Sequence, residues 1–157
     1  GMTQPSQLGA SIVLPGAAPV VRAFGDELHF HLTGEQTGGR YTLFTDITPP
    51  GGGPPPHYHA NEDETFCVLE GRAEFLIADR WLQAPAGTVV HAPRGVRHAF
   101  RNPTDRPLKQ LISTAPSGFE DFFRKSESEF NRPGGPDMNQ LASIAEQHGI
   151  FFDPPVP

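Results

Sequence analysis

Residues 51–71 read GGGPPPHYHANEDETFCVLEG, and three side chains within this stretch decide how the chain is understood. His57 and His59 are two residues apart, and Glu64 follows five residues later. Residues i and i+2 of a β-strand project from one face, so the two imidazoles share a direction. The turn Ala60-Asn61-Glu62-Asp63 then lets the next strand carry Glu64 to the same point. Neutral imidazole with ionised carboxylate suits one divalent first-row metal ion, Fe(II), Mn(II), Ni(II) or Zn(II). Residues 87–102, GTVVHAPRGVRHAFRN, offer His98 as a fourth ligand beyond the turn Pro93-Arg94-Gly95.

Outward from these stretches, alternation at period two recurs in Leu28/Phe30/Leu32, Tyr41/Leu43/Thr45 and Ala73/Phe75/Ile77. Breaks fall at Gly38-Gly39, Pro49 to Pro56, Gly71 and Pro85 to Gly87. Seventeen glycines and eighteen prolines, 35 of 157 residues, are almost twice the ~12% of average usage and argue against a helix bundle. An all-β domain of short strands is expected, with a barrel at 19–115 behind a flexible arm at 1–18. After Pro116 the pattern becomes helical. Ser117-Gly118-Phe119-Glu120 has the form of a capping box ahead of Phe119, Phe122 and Phe123. A second helix is expected from Asp137, with Leu141, Ile144 and Ala145 on one face and Gly149 at its end. Residues 116–157 thus read as a C-terminal helical extension packed on the barrel, its phenylalanine stripe serving as packing.

The formal net charge of −6 argues against a nucleic-acid surface, which needs basic residues to neutralise phosphates. No apolar run approaches the roughly 20 residues of a membrane span, and no basic segment precedes an apolar one near residue 1, so a cytoplasmic location is expected. The single cysteine, Cys67, excludes an intrachain disulfide and a cysteine zinc cage. Strand parity predicts the cavity lining. If Glu64 faces inward, so does Phe66; His98 brings Phe100, and Tyr41, Leu43 and Phe75 complete a largely aromatic substrate-binding set. His29 and His31, with no glutamate at a suitable distance, read as surface or interface residues. Arg94 and Arg97 lie at the rim as solvated turn residues, placed where they would meet an anionic substrate.

The two stretches resemble the cupin superfamily. Its first motif, G-x5-H-x-H-x4-E-x6-G, is filled by Gly51, His57, His59, Glu64 and Gly71. Its second, G-x5-P-x-G-x2-H-x3-N, is filled by Gly87, Pro93, Gly95, His98 and Asn102. The wording PPPH and PSGFEDFF is similar to small single-domain cupins often described as quercetin-dioxygenase-like. The resemblance implies a jelly-roll barrel with one metal held by His57, His59, Glu64 and His98, and a homodimer. It also implies that Glu64 doubles as a catalytic base toward a substrate hydroxyl. Three neutral imidazoles and one carboxylate leave a divalent ion at net +1, a charge that attracts an anionic oxygen donor. The expected activity is an oxygenase of the dioxygenase type acting on a small aromatic or enolisable molecule. A metal-dependent isomerase or decarboxylase, or a non-catalytic sensing module, would use the same donors. A cavity too small for substrate beside the metal would favour the sensing module.

Overall fold

Leu108–Ala115 (β10) alternates buried and half-buried residues along its whole length, the period of a strand with one face on a core. In this computed structural model, which describes residues 9–153, β10 lies at the centre of the larger of two antiparallel sheets. Its neighbours are Thr42–Thr48 (β3) and Asp63–Glu70 (β5). Val20–Ala23 (β1) and Asp26–Leu32 (β2) extend the sheet beyond β3, and Val89–Ala92 (β8) extends it beyond β5. The facing sheet has the order β11-β4-β9-β6-β7: Ile150–Phe152, His57–His59, His98–Arg101, Arg72–Ile77 and Arg80–Pro85. The two sheets enclose one core, as the jelly roll expected from the motifs requires.

The tight corners fall where the motif glycines stand. Gly71 (φ 83) joins β5 to β6 and Gly95 (φ 84) precedes β9, in the left-handed region that β-carbon sterics deny most residues. Asn102 is wholly buried and stays clear of the ligand cluster. Its amide donates to the carbonyls of Thr48 and Arg106, and its Oδ1 accepts from Thr104 N at 3.0 Å, pinning the loop after β9. Phe30, Phe44, Phe66 and Phe75 are at most 1% exposed, and burying each contributes about 1.5–3 kcal/mol relative to leaving it in water.

The C-terminal extension holds two helices, Phe119–Phe130 (α2) and Met138–Gln147 (α3). The side chain of Asp137 caps α3 by accepting from Asn139 N and Gln140 N. The expected capping box at Ser117 does not form: the cap of α2 is Gly118, without a side-chain cap bond. Glu120 instead accepts from Gly118 N (2.8 Å), Gly34 N (2.8 Å) and Thr42 Oγ1 (2.6 Å), clasping α2 to the barrel. Burial works to raise the Glu120 carboxyl, and these donors outweigh it and hold it below its usual range. A capping box does occur at Thr33, ahead of the short helix Gly34–Thr37 (α1), which periodicity did not reveal. The extension is also not wholly helical, because β11 returns from α3 to pair with β4. Among the described residues no helix is long and apolar enough to cross a membrane. Of the arm expected at 1–18, residues 1–8 lie outside the described residues.

Candidate metal centre and its cavity

Strand pairing brings the four predicted ligands together. His57 and His98 are register partners across β4 and β9, His59 sits two residues on, and Glu64 reaches over from β5 in the opposite sheet. One donor atom from each lies within 4.8 Å of all the others, and all four residues are buried. A cation held there would tie one sheet to the other.

Each imidazole is aimed by its outer nitrogen. His57 Nδ1 lies 3.0 Å from Pro55 O, His98 Nδ1 lies 3.0 Å from Val96 O, and His59 Nδ1 lies 3.0 Å from Glu62 Oε2. These acceptors hold the proton on Nδ1 and turn each Nε2 toward the cluster, the arrangement that orients metal-bound histidines. His59 Nε2 is 3.3 Å from Glu64 Oε1, yet it is buried without a hydrogen-bond partner among the described residues. Burial, with His98 and His59 beside it, drives His57 down to about 3, so it is a neutral donor. Burial also works to lower His59, but the charge of Glu64 and the hydrogen bond to Glu62 outweigh it and raise His59 to about 9. Glu64 is held far below the ordinary carboxylate range, because His59 and His98 overcome the burial that would raise it. The cluster thus holds positive charge between buried carboxylates, and its donor set fits a divalent transition metal.

Glu62 is the site residue that the sequence reading missed, having been assigned to a turn. Its carboxylate is 6% exposed and backs His59 directly. Parity offered the signal, since Glu62 stands two residues before Glu64. Its presence corrects the charge count made from the sequence: with Glu62 included, a divalent ion leaves the whole assembly neutral instead of +1.

A cavity of about 70 Å³ opens beside His57 and Glu64. It holds several waters or one compact organic molecule, well below the roughly 300–1,000 Å³ of sites for drug-sized ligands. Phe66 and Phe100 line it as expected, whereas Phe75 stands behind them, its ring centroid 5.0 Å from that of Phe66 and 5.8 Å from that of Phe100. Tyr41 and Leu43 do not line it, which corrects their expected place. β3 turns Thr42, Phe44, Asp46 and Thr48 inward, and Tyr41 precedes the strand at 38% exposure. The extension supplies lining that the sequence reading treated as packing alone. Phe119, Phe122 and Phe123 of α2 form one wall, Ile150 and Phe152 of β11 another. Phe119 also meets the His59 ring edge-on at 4.8 Å. The rim arginines are engaged by acids, Arg94 by Asp63 (3.2 Å) and Arg97 by Asp153 (2.6 Å). His29 and His31 sit apart from the cluster, bonded to Glu27 and Thr45.

A family model described as "Cupin domain" matches residues 45–113. That span holds both filled motifs, and with the two sheets paired as a jelly roll residues 45–113 carry a cupin domain. An uncharacterized protein of Aquifex aeolicus (strain VF5) is 36% identical over 50 residues, which are 32% of this chain and 41% of that protein. The alignment therefore spans less than half of that relative. Among solved structures, a predicted oxalate decarboxylase from Thermotoga maritima superposes with a TM-score of 0.63 at 20% identity, covering 67% of this chain and 98% of that one. The polyketide cyclase RemF from Streptomyces resistomycificus superposes with a TM-score of 0.59 at 22% identity, covering 68% and 79%. At these identities the likeness shows the fold alone.

Proposed function

We propose that this cupin is a metal-dependent enzyme, an oxygenase of the dioxygenase type, acting on a compact enolisable molecule at a centre formed by His57, His59, Glu64 and His98. The observation that carries the reading is the set of four buried donor atoms within 4.8 Å of one another, opening onto an apolar cavity. When bound, a divalent ion supplies Lewis-acid polarisation of a substrate oxygen and, in the case of iron, access to redox chemistry with dioxygen. Because Glu62 and Glu64 together neutralise a divalent charge, the centre favours a substrate with at most one negative charge, and an enolisable one gives up a proton there. Glu64 is the carboxylate placed to take that proton. The phenylalanine walls exclude water, which strengthens every electrostatic contact inside.

A second reading, a decarboxylase or isomerase on the same donors, draws support from the cavity volume, since an organic substrate and dioxygen would have to share about 70 Å³. Protein loaded with Fe(II) under anaerobic conditions, given small β-diketones, 2-oxo acids and hydroxy acids with and without oxygen, separates the readings. Oxygen uptake coupled to product supports the oxygenase. Turnover that ignores oxygen moves the assignment to the second reading, and tight binding with no turnover moves it to a sensing module.

We also propose a homodimer, because Ile12 and Leu14 are exposed ahead of the edge strand β1, whose Val20 is exposed too. Light scattering at micromolar protein should give twice the chain mass; the mass of one chain would reject it.

A further inference from the structure

The cavity that begins at His57 and Glu64 also reaches Asp26 and Asp46, with Phe44, Phe66, Phe100 and Ile112 among the walls between. Asp46 is 4% exposed and Asp26 9%. Among the described residues neither has a cationic partner. Thr48 Oγ1 lies 2.8 Å from Asp26 Oδ2 and 3.3 Å from Asp46 Oδ1, so its single proton goes to Asp26. No N–H and no alcohol hydroxyl of the described residues donates to Asp26 Oδ1. Burial pushes both carboxyl groups above the usual carboxylate range, Asp46 the further of the two. Among the described residues one hydroxyl hydrogen thus faces the oxygens of two buried carboxyl groups.

Burying carboxyl groups with so few partners is costly, and apolar residues would fill a barrel end without that cost. The neighbouring inward residues, Leu28, Phe30 and Phe44, show that this sheet does bury apolar side chains at adjoining positions. Ala23, Phe24 and Asp26 also border an outer groove with Pro49 and Phe130, so this end of the cavity abuts solvent. An incoming ligand meets the carboxyl pair at one end and the histidine cluster at the other.

We propose that Asp26 and Asp46 form a second recognition point in the cavity, which binds a hydroxyl group on the end of the ligand remote from the metal donors. This rests on the reading of the site as a metal centre and narrows its substrate to a compact molecule with polar groups at both ends. The pair offers an unpartnered acceptor, Asp26 Oδ1, which an alcohol satisfies by donating its one proton.

The test uses Co(II)-loaded full-length protein, with ω-hydroxyalkanoates of three to six carbons compared with the unsubstituted alkanoates of equal length. Binding is followed by calorimetry and by the visible spectrum of the cobalt. At one chain length the hydroxy acid should bind about tenfold more tightly, the worth of one good buried hydrogen bond. In Asp46→Leu and in Asp26→Asn that preference should fall to threefold or less, while the plain alkanoate binds as before. Equal affinity of the two series for the wild-type protein, or a preference that survives both substitutions, overturns the proposal, and the wild-type comparison decides even if a variant fails to fold. Protein that takes up no Co(II) but still prefers the hydroxy acids would refute the metal centre and keep the carboxyl pair. Protein whose cobalt spectrum responds to both series at the same ligand concentrations would keep the metal centre and refute the pair.

Discussion

The two ends of the cavity are built on opposite principles. At the histidine end each imidazole has its outer nitrogen held by an acceptor, Pro55 O, Glu62 or Val96 O, so the inward nitrogens are aimed before anything binds. At the carboxyl end a single threonine hydroxyl is, among the described residues, the one side-chain donor beside the two aspartates, and its proton goes to Asp26. The first end is over-determined, as a site must be to impose geometry on an ion. The second is short of partners, as a site must be if the partner is to arrive with the ligand. In this contrast supporting contacts, more than the identity of the inward residues, separate the proposed metal centre from the proposed recognition point.

The largest effect should come from breaking the over-determined end at its donors. His98→Ala or Glu64→Ala should abolish stoichiometric uptake of Co(II) or Fe(II), read as metal content after gel filtration. Retained stoichiometric metal in both would mean that these residues are not ligands. Next in size is Glu62→Gln, which keeps the shape but removes the charge behind His59. Metal affinity should fall about 10- to 100-fold, as when other outer partners of metal-bound histidines are removed. Competition with a chelator of known affinity measures it. An unchanged affinity would mean that Glu62 does not support the site, and the contrast between the two ends would lose its basis.

The legible parts of the molecule were those in which spacing alone encodes direction. His57, His59, Glu64 and His98 could be placed because period-two parity and two tight turns decide which way they point. Glu62 obeyed the same parity but was hidden by its place between strands. Tyr41 and Leu43 were misplaced for a physical reason: an apolar residue was expected to face inward, and β3 turns Thr42, Asp46 and Thr48 inward instead. Local rules are broken most often where a protein uses the break, and this one falls on the carboxyl pair. The lining from α2 and β11 was not legible, because which face of a helix closes a barrel is settled by long-range packing. Phe119 against His59, and the pairing of Phe152 with His57 across β11 and β4, join residues far apart in the chain.

The smallest effect sharpens the contrast from the other end. A carboxyl group whose pKa is raised on folding stabilises nothing at neutral pH: as pH climbs above the unfolded value of 3.8, the unfolded chain ionises freely while the folded one resists. The folded state therefore loses stability relative to a variant that cannot ionise at that position. Asp46→Asn should match the wild type near pH 4 and melt higher near pH 7, by a shift on the order of 3 °C for a chain of this size. Thermal unfolding of metal-free protein across that range, monitored by circular dichroism, measures the difference without interference from bound ions. A gain that grows with pH would mean that the chain keeps Asp46 at a cost to its own stability, as expected of a group retained for a ligand. A variant less stable than the wild type at every pH would make the aspartate pair a structural brace, and the two ends of the cavity would then differ only in which residues they use.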